Sequence, residues 1–215
     1  MSPSDHDGMT ADRYHRKCLA LLIPILNDDT AALDEALFAA TVVLRLYEEI
    51  SVPIAGQDFE SHLMGTHTFV RALDSCYRSP IQIAACRVVI RQEIVLTFRT
   101  QRPIQLLETY MQVDQSLDQN DDWSSTFHMF VLCAEILTMC YGKGPKTMEA
   151  WDDFESRLQI WVNSRPVTFE PFFSRGRSGS PEGNVFPQLW LLNDCHSRWA
   201  LLQCCNLYFP LPMLT

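Results

Sequence analysis

Several short patterns bring together residue types that can do chemistry, and spacing alone tests each of them. Gly142-Lys143-Gly144-Pro145-Lys146-Thr147 has the composition of a loop that cradles phosphate on backbone N–H groups. Pro145 stands where such a loop needs another donor and no strand pattern precedes it, so the segment is expected to stop a helix. Asp121-Asp122 offers a carboxylate pair like the magnesium ligands of helical isoprenoid enzymes. Trp123-Ser124-Ser125-Thr126 adds no third carboxylate one turn on, so helix entry is the expectation. His62 and His67 are five apart and fall on different helix faces, unlike the four-apart pair of a zinc-binding helix. Cys195 and His196 are adjacent, so their side chains are expected to diverge, and a thiol–imidazole pair would need partners brought from elsewhere. Cys133 and Cys140, seven apart on one apolar helix face, read as core because four converging ligands are not visible. Ser178, in Arg177-Ser178-Gly179-Ser180-Pro181, reads as an exposed serine and only secondarily as a modification site. The sequence therefore points to no catalytic residue, no metal-ligand set and no cofactor site.

The elements that must position these residues read as helices. Thr10 has the character of an N-cap, and Tyr14, Cys18, Leu21, Leu22 and Ile25 follow at helical spacing until Asn27-Asp28-Asp29. Thr30 can cap a second helix with an inward stripe of Leu33, Leu37, Ala40, Val43, Leu44 and Tyr47, antiparallel to the first because the connection is short. Pro53-Ile54-Ala55-Gly56 is a break. A third helix is expected from about Asp58 to Tyr77, with Leu63, His67, Val70 and Leu73 inward. Gly65 inside it costs about 1 kcal/mol against Ala, which predicts a closely approaching neighbour. Ser79-Pro80 opens a fourth helix, with Ile83, Cys86, Ile90, Ile94 and Phe98 on its core side.

After the break at Arg102-Pro103, a short helix over 104–111 precedes a polar loop at 118–122. Phe127, Phe130, Val131, Ala134, Leu137 and Tyr141 mark the most apolar helix, and the helix over 146–163 carries Trp151, Phe154, Leu158, Trp161 and Val162. Arg165 to Pro171 reads as an extended connector anchored by Phe169, and 174–184 as a mobile surface loop. A last helix, Pro187 to Leu207, uses Trp190, Cys195, Trp199 and Leu202. No strand-period segment stands out. The fold class is all-α: an irregular bundle of about seven to eight helices over 10–209, with a disordered tail at 1–9 and another tail at 210–215.

At 215 residues, 47% hydrophobic and 20% charged, the chain is globular, as one domain or at most two small ones. Its net charge of −9 repels phosphate and argues against direct nucleic-acid binding. The acids crowd between Asn27 and Glu60, where Arg45 is the single base, and read mainly as a solvated face. The eight cysteines lie in apolar periodic segments and are expected to be reduced thiols inside the cell. No secretory signal or membrane span is expected.

Taken in order, a set of residues resembles the fungal-specific transcription factor domain, the helical middle region of binuclear zinc-cluster regulators. The set comprises Tyr14-His15 with Cys18; Leu44, Tyr47 and Glu48; His62-Leu63-Met64-Gly65; and Arg91-Gln92-Glu93-Ile94. It continues with Trp151, Leu158 and Trp161, then Arg165-Pro166 with Phe169 and Pro171, and Phe186-Pro187 with Trp190. The resemblance covers about residues 14 to 199. It implies a helical regulatory domain, nuclear or else cytoplasmic, that acts through protein contacts or effector response and not by catalysis; some relatives of this kind control secondary-metabolite or catabolic pathways. Within it Glu48 is expected to find a partner such as Arg91, and Arg91 with Glu93 to form a semi-buried ion pair. Cys86-Arg87 departs from the family's aromatic pair, the six-cysteine cluster is absent, and the family's helical region continues beyond the equivalent of Leu207, so the chain reads as a domain-only or truncated member. The rival reading is a small helical ligand carrier or enzyme with an apolar pocket between helices. A third is an oligomerisation module built on the 127–141 helix.

Overall fold

The computed structural model describes residues 3–25, 34–55, 61–73, 79–115, 117, 121–175 and 188–196. The fold is all-α, with seven α-helices and one two-stranded ribbon among the described residues. The chain divides into two compact units, Met1–Glu93 and Ile94–Thr215, with the boundary inside a helix.

The first unit holds α1 (Pro3–Ile25), α2 (Glu35–Ala55), α3 (Ser61–Arg71) and the first part of α4 (Pro80–Thr100). Helix α1 starts at Pro3, so residues 3–9 are helical, not a tail, and Thr10 is not its cap. Proline suits a first helical turn. The expected inward face of α1 is also corrected. Leu22 is buried, but Tyr14, Cys18, Leu21 and Ile25 are exposed. Asp34 caps α2, its Oδ1 accepting from Ala36 N at 2.8 Å and Leu37 N at 3.1 Å; Thr30 and Leu33 lie outside the described residues. Helix α2 continues through Pro53, past the expected break, and turns Phe38, Val42 and Leu44 inward while Val43 faces out.

Helix α3 is shorter than predicted, but Leu63, His67 and Val70 are buried as expected. Gly65 does mark a close approach: a Cβ there would sit 3.3 Å from Thr41 Cγ2 of α2. Helix α4 opens with a capping box, in which Ser79 Oγ accepts from Gln82 N at 3.2 Å and Ser79 N donates to Gln82 Oε1 at 3.0 Å. It closes at Gln101, which takes a left-handed φ of 54° just before Arg102-Pro103.

In the second unit, α5 (Leu107–Gln115) lies a few residues later than predicted. Helix α6 (Asp122–Tyr141) matches its punctuation. Asp121 caps it through Trp123 N and Ser124 N, Gly142 ends it, and a Cβ on Gly142 would lie 2.4 Å from the Thr138 carbonyl oxygen. Among the described helices, only α6 is long and apolar enough to cross a membrane, and 67% of that stretch is buried within the protein. Helix α7 (Met148–Ser164) is capped by Thr147 and buries Phe154 and Trp161, while Trp151 is only half-buried. The connector beyond it is a 3-10 turn, Val167–Phe169, with Phe169 fully buried.

The chain then forms a ribbon where a loop and a helix were expected. Strand β1 (Phe173–Arg175) pairs antiparallel with β2 (Gln188–Trp190), Phe173 opposite Trp190. Ser174 and Arg175 therefore belong to a strand, and Trp190 is 58% exposed, not on the buried side of a helix. The Phe172 and Phe173 rings lie 6.0 and 4.9 Å from that of Trp190, a cross-strand aromatic cluster that outweighs weak helix propensity. Helix resumes at Asp194–His196. Pro187, Trp199, Leu202 and the 176–184 part of the expected loop lie outside the described residues.

Candidate functional site

The residues singled out in the first unit come together around a buried charge. Arg45 is 1% exposed; its Nη1 lies 3.2 Å from Glu48 Oε2 and its Nε 3.8 Å from Glu49 Oε1. Glu48 also accepts the backbone N–H of His62 at 3.2 Å, so a carboxylate on α2 caps the start of α3. Arg91 of α4 bonds Glu49 at 3.4 Å and not Glu48 as expected. Glu93 does not pair with Arg91, since residues two apart on a helix do not face each other. Its Oε1 lies 3.3 Å from Nε2 of the buried His67.

On the α1 side, His15 Nε2 is 3.2 Å from His62 Nε2, and the His15 ring lies 4.6 Å from that of Tyr47. Tyr47 donates its hydroxyl to Asp12, which is the main reason its pKa is raised. Burial pushes His62 below the usual imidazole range; Glu48 pulls it back up, and His15 and Arg45 add to the depression. The network ties α1, α2, α3 and α4 to one another mainly by pairing its own charges.

The aromatic residues of the second unit form an anchor. Trp161 donates its indole N–H to Ser125 O at 3.0 Å and meets Phe169 edge-on at 5.9 Å; Phe169 in turn lies 4.6 Å from the His196 ring. Pro166 precedes the 3-10 turn that delivers Phe169. Beside this anchor is a cleft of about 320 Å³ whose lining includes Asp114, His128, Arg157, Trp161, Ser164 and Arg165. Asp114, buried, holds His128 Nδ1 at 2.5 Å. Arg157 is bound to Glu135 and Asp153, and its pKa is raised, chiefly by the bond to Glu135.

Cys195 and His196 do not diverge. Cys195 Sγ, a ring nitrogen of His196 and a carboxylate oxygen of Asp122 lie within 4.8 Å of one another. His196 Nε2 is 2.9 Å from Asp122 Oδ2, and Thr168 donates to Asp122 Oδ1 at 2.6 Å. This cluster reads as structural. The ring nitrogen that faces Asp122 is already hydrogen-bonded to it, and burial, reinforced by Asp122, raises the thiol pKa, so Cys195 stays a protonated, poor nucleophile. Spacing did not point to Asp114, His128 or this use of Asp122, because every one of these contacts crosses between elements.

Compared with profiles of known protein families, with curated protein sequences and with solved structures, the chain matches none.

Proposed function

We propose that this chain is a regulatory protein-interaction domain of the transcription-regulator type, without a DNA-reading module of its own, acting in the nucleus. The observation that carries this reading is the exposed apolar stripe of α1. Tyr14, Leu21 and Ile25 are 57%, 72% and 49% exposed, and exposed Cys18 completes a stripe spaced four, three and four residues apart. That spacing suits a helix packing into a groove or along a second helix. Helix α2 adds a second exposed row, Val43, Leu46 and Ile50. Contiguous apolar surface of this kind marks contact sites. The acidic balance supports action through proteins more than through phosphate.

The test is tethering. Fused to a heterologous DNA-binding module, the chain is expected to change transcription of a reporter carrying that module's site. Leu21→Asp with Ile25→Asp is expected to abolish the effect while leaving helicity and thermal stability close to the parent's. A reporter that does not respond to the parent fusion overturns the reading.

A second reading, a small-ligand carrier or enzyme, rests on the carboxylate-held His128 beside the cleft. It expects native mass spectrometry of the purified chain to show a retained small molecule that His128→Ala loses.

A further inference from the structure

Among the described residues, one polar fastening of helix α1 to the rest of the first unit has unusual geometry. Among the residues of its last four turns whose burial is described, only Leu22 is buried, while His15 and Leu19 are half-buried. His15 meets His62 of α3 nitrogen to nitrogen, with the two Nε2 atoms 3.2 Å apart and the rings edge-on at 90°. Glu48 Oε1 of α2 lies 3.8 Å from the same His62 nitrogen.

Two imidazole nitrogens, each about 2.0–2.1 Å from one tetrahedral zinc ion, sit roughly 3.3 Å apart. The observed 3.2 Å matches the separation of two ligands of a shared ion as well as that of an N–H···N bond. We propose that His15 and His62 form a clamp for a late transition-metal dication of the zinc class, with water completing the shell.

Two considerations support this. Imidazole nitrogen is a preferred donor for such ions, and a ring must be unprotonated at the ligating nitrogen. The surrounding charges also admit a cation. Arg45 opposes it, but Arg45 is answered by Glu48 and Glu49, and Asp12 lies one turn from His15 on α1 and is bonded to Tyr47. Without an ion, the two nitrogens share at most one proton in an N–H···N bond. With one, both lone pairs are used and α1 is pinned to α3. The clamp does not depend on the regulatory reading, and either can fail alone.

The test uses the whole chain without a histidine tag, titrated with Zn²⁺ alone at neutral pH. One equivalent is expected to bind saturably, raise the unfolding midpoint with concentration, and shift the Nε2 resonances of His15 and His62 together in long-range proton–nitrogen spectra. His15→Gln, a half-buried position that leaves α3 and its cap intact, is expected to weaken binding more than tenfold, as is His62→Gln. Cys18→Ser, one turn from His15 on the same helix, is expected to change nothing. Absence of saturable binding, binding that survives His15→Gln, or binding lost in Cys18→Ser would each overturn the proposal.

Discussion

The two units bury different chemistry. The first keeps Arg45, His67, Gln92 and Glu93 at 3% exposure or less, supplied by three helices. The second is organised on α6, from Phe127 through Leu137, where nearly every buried position is apolar and the polar residues gather at the capped end, Ser124 to Thr126. Apolar burial rewards volume and tolerates small shifts in position, whereas buried charges reward one pairing and penalise the others. The first unit is therefore specified by which carboxylate meets which cation, and the second by how well α6 is surrounded.

Perturbing each unit in its own terms sharpens that contrast. Phe127→Ala removes a fully buried ring from the apolar interior and is expected to cost about 3–5 kcal/mol, read as a lowered urea midpoint with an unchanged slope. Arg45→Met keeps most of the volume but takes the buried cation from Glu48 and Glu49, leaving them the His62 N–H and Arg91 respectively. It is expected to cost about 3 kcal/mol, the low end for breaking a buried pair, because both carboxylates keep some access to water. If Arg45→Met proves neutral, the charge network is ornamental and the contrast between the units collapses. The smallest effect belongs to Cys195. Its folded pKa is raised above the ordinary 9.0, so the folded chain holds the thiol proton more tightly than the unfolded chain does. That contribution is fully present below pH 9.0 and is lost as pH rises through the folded value, so stability should sag at alkaline pH, and less so in Cys195→Ala.

The same contrast decides what could be read from the residues. The limits of α6 were legible because Asp121 and Gly142 are local signals, and the Gly65 contact was legible because a helical glycine advertises its neighbour. The charge partners were not. Arg91 was expected on Glu48 and sits on Glu49, one position along the same helix, because the offset between crossing helices is a tertiary quantity. Nor does periodicity tell whether an apolar stripe finds a cover, so the α1 stripe was assigned inward and lies outward. The ribbon at Phe173 and Trp190 was missed because three-residue strands are too short to show a period, and its register comes from aromatic contacts across the pair. The convergence of Asp122 with Cys195 and His196 joins residues more than seventy positions apart, and no spacing rule reaches that far.

The 3.3 Å gap between the position of a Cβ at residue 65 and the methyl of Thr41 leaves almost no slack, because Thr41 is buried and its hydroxyl is tied to Leu37 O at 2.8 Å. Two sites that share so little room cannot drift separately. A descendant that gains alanine at 65 is expected to carry serine or alanine at 41, so the pair should be inherited as a unit and show non-additivity in a double-mutant cycle.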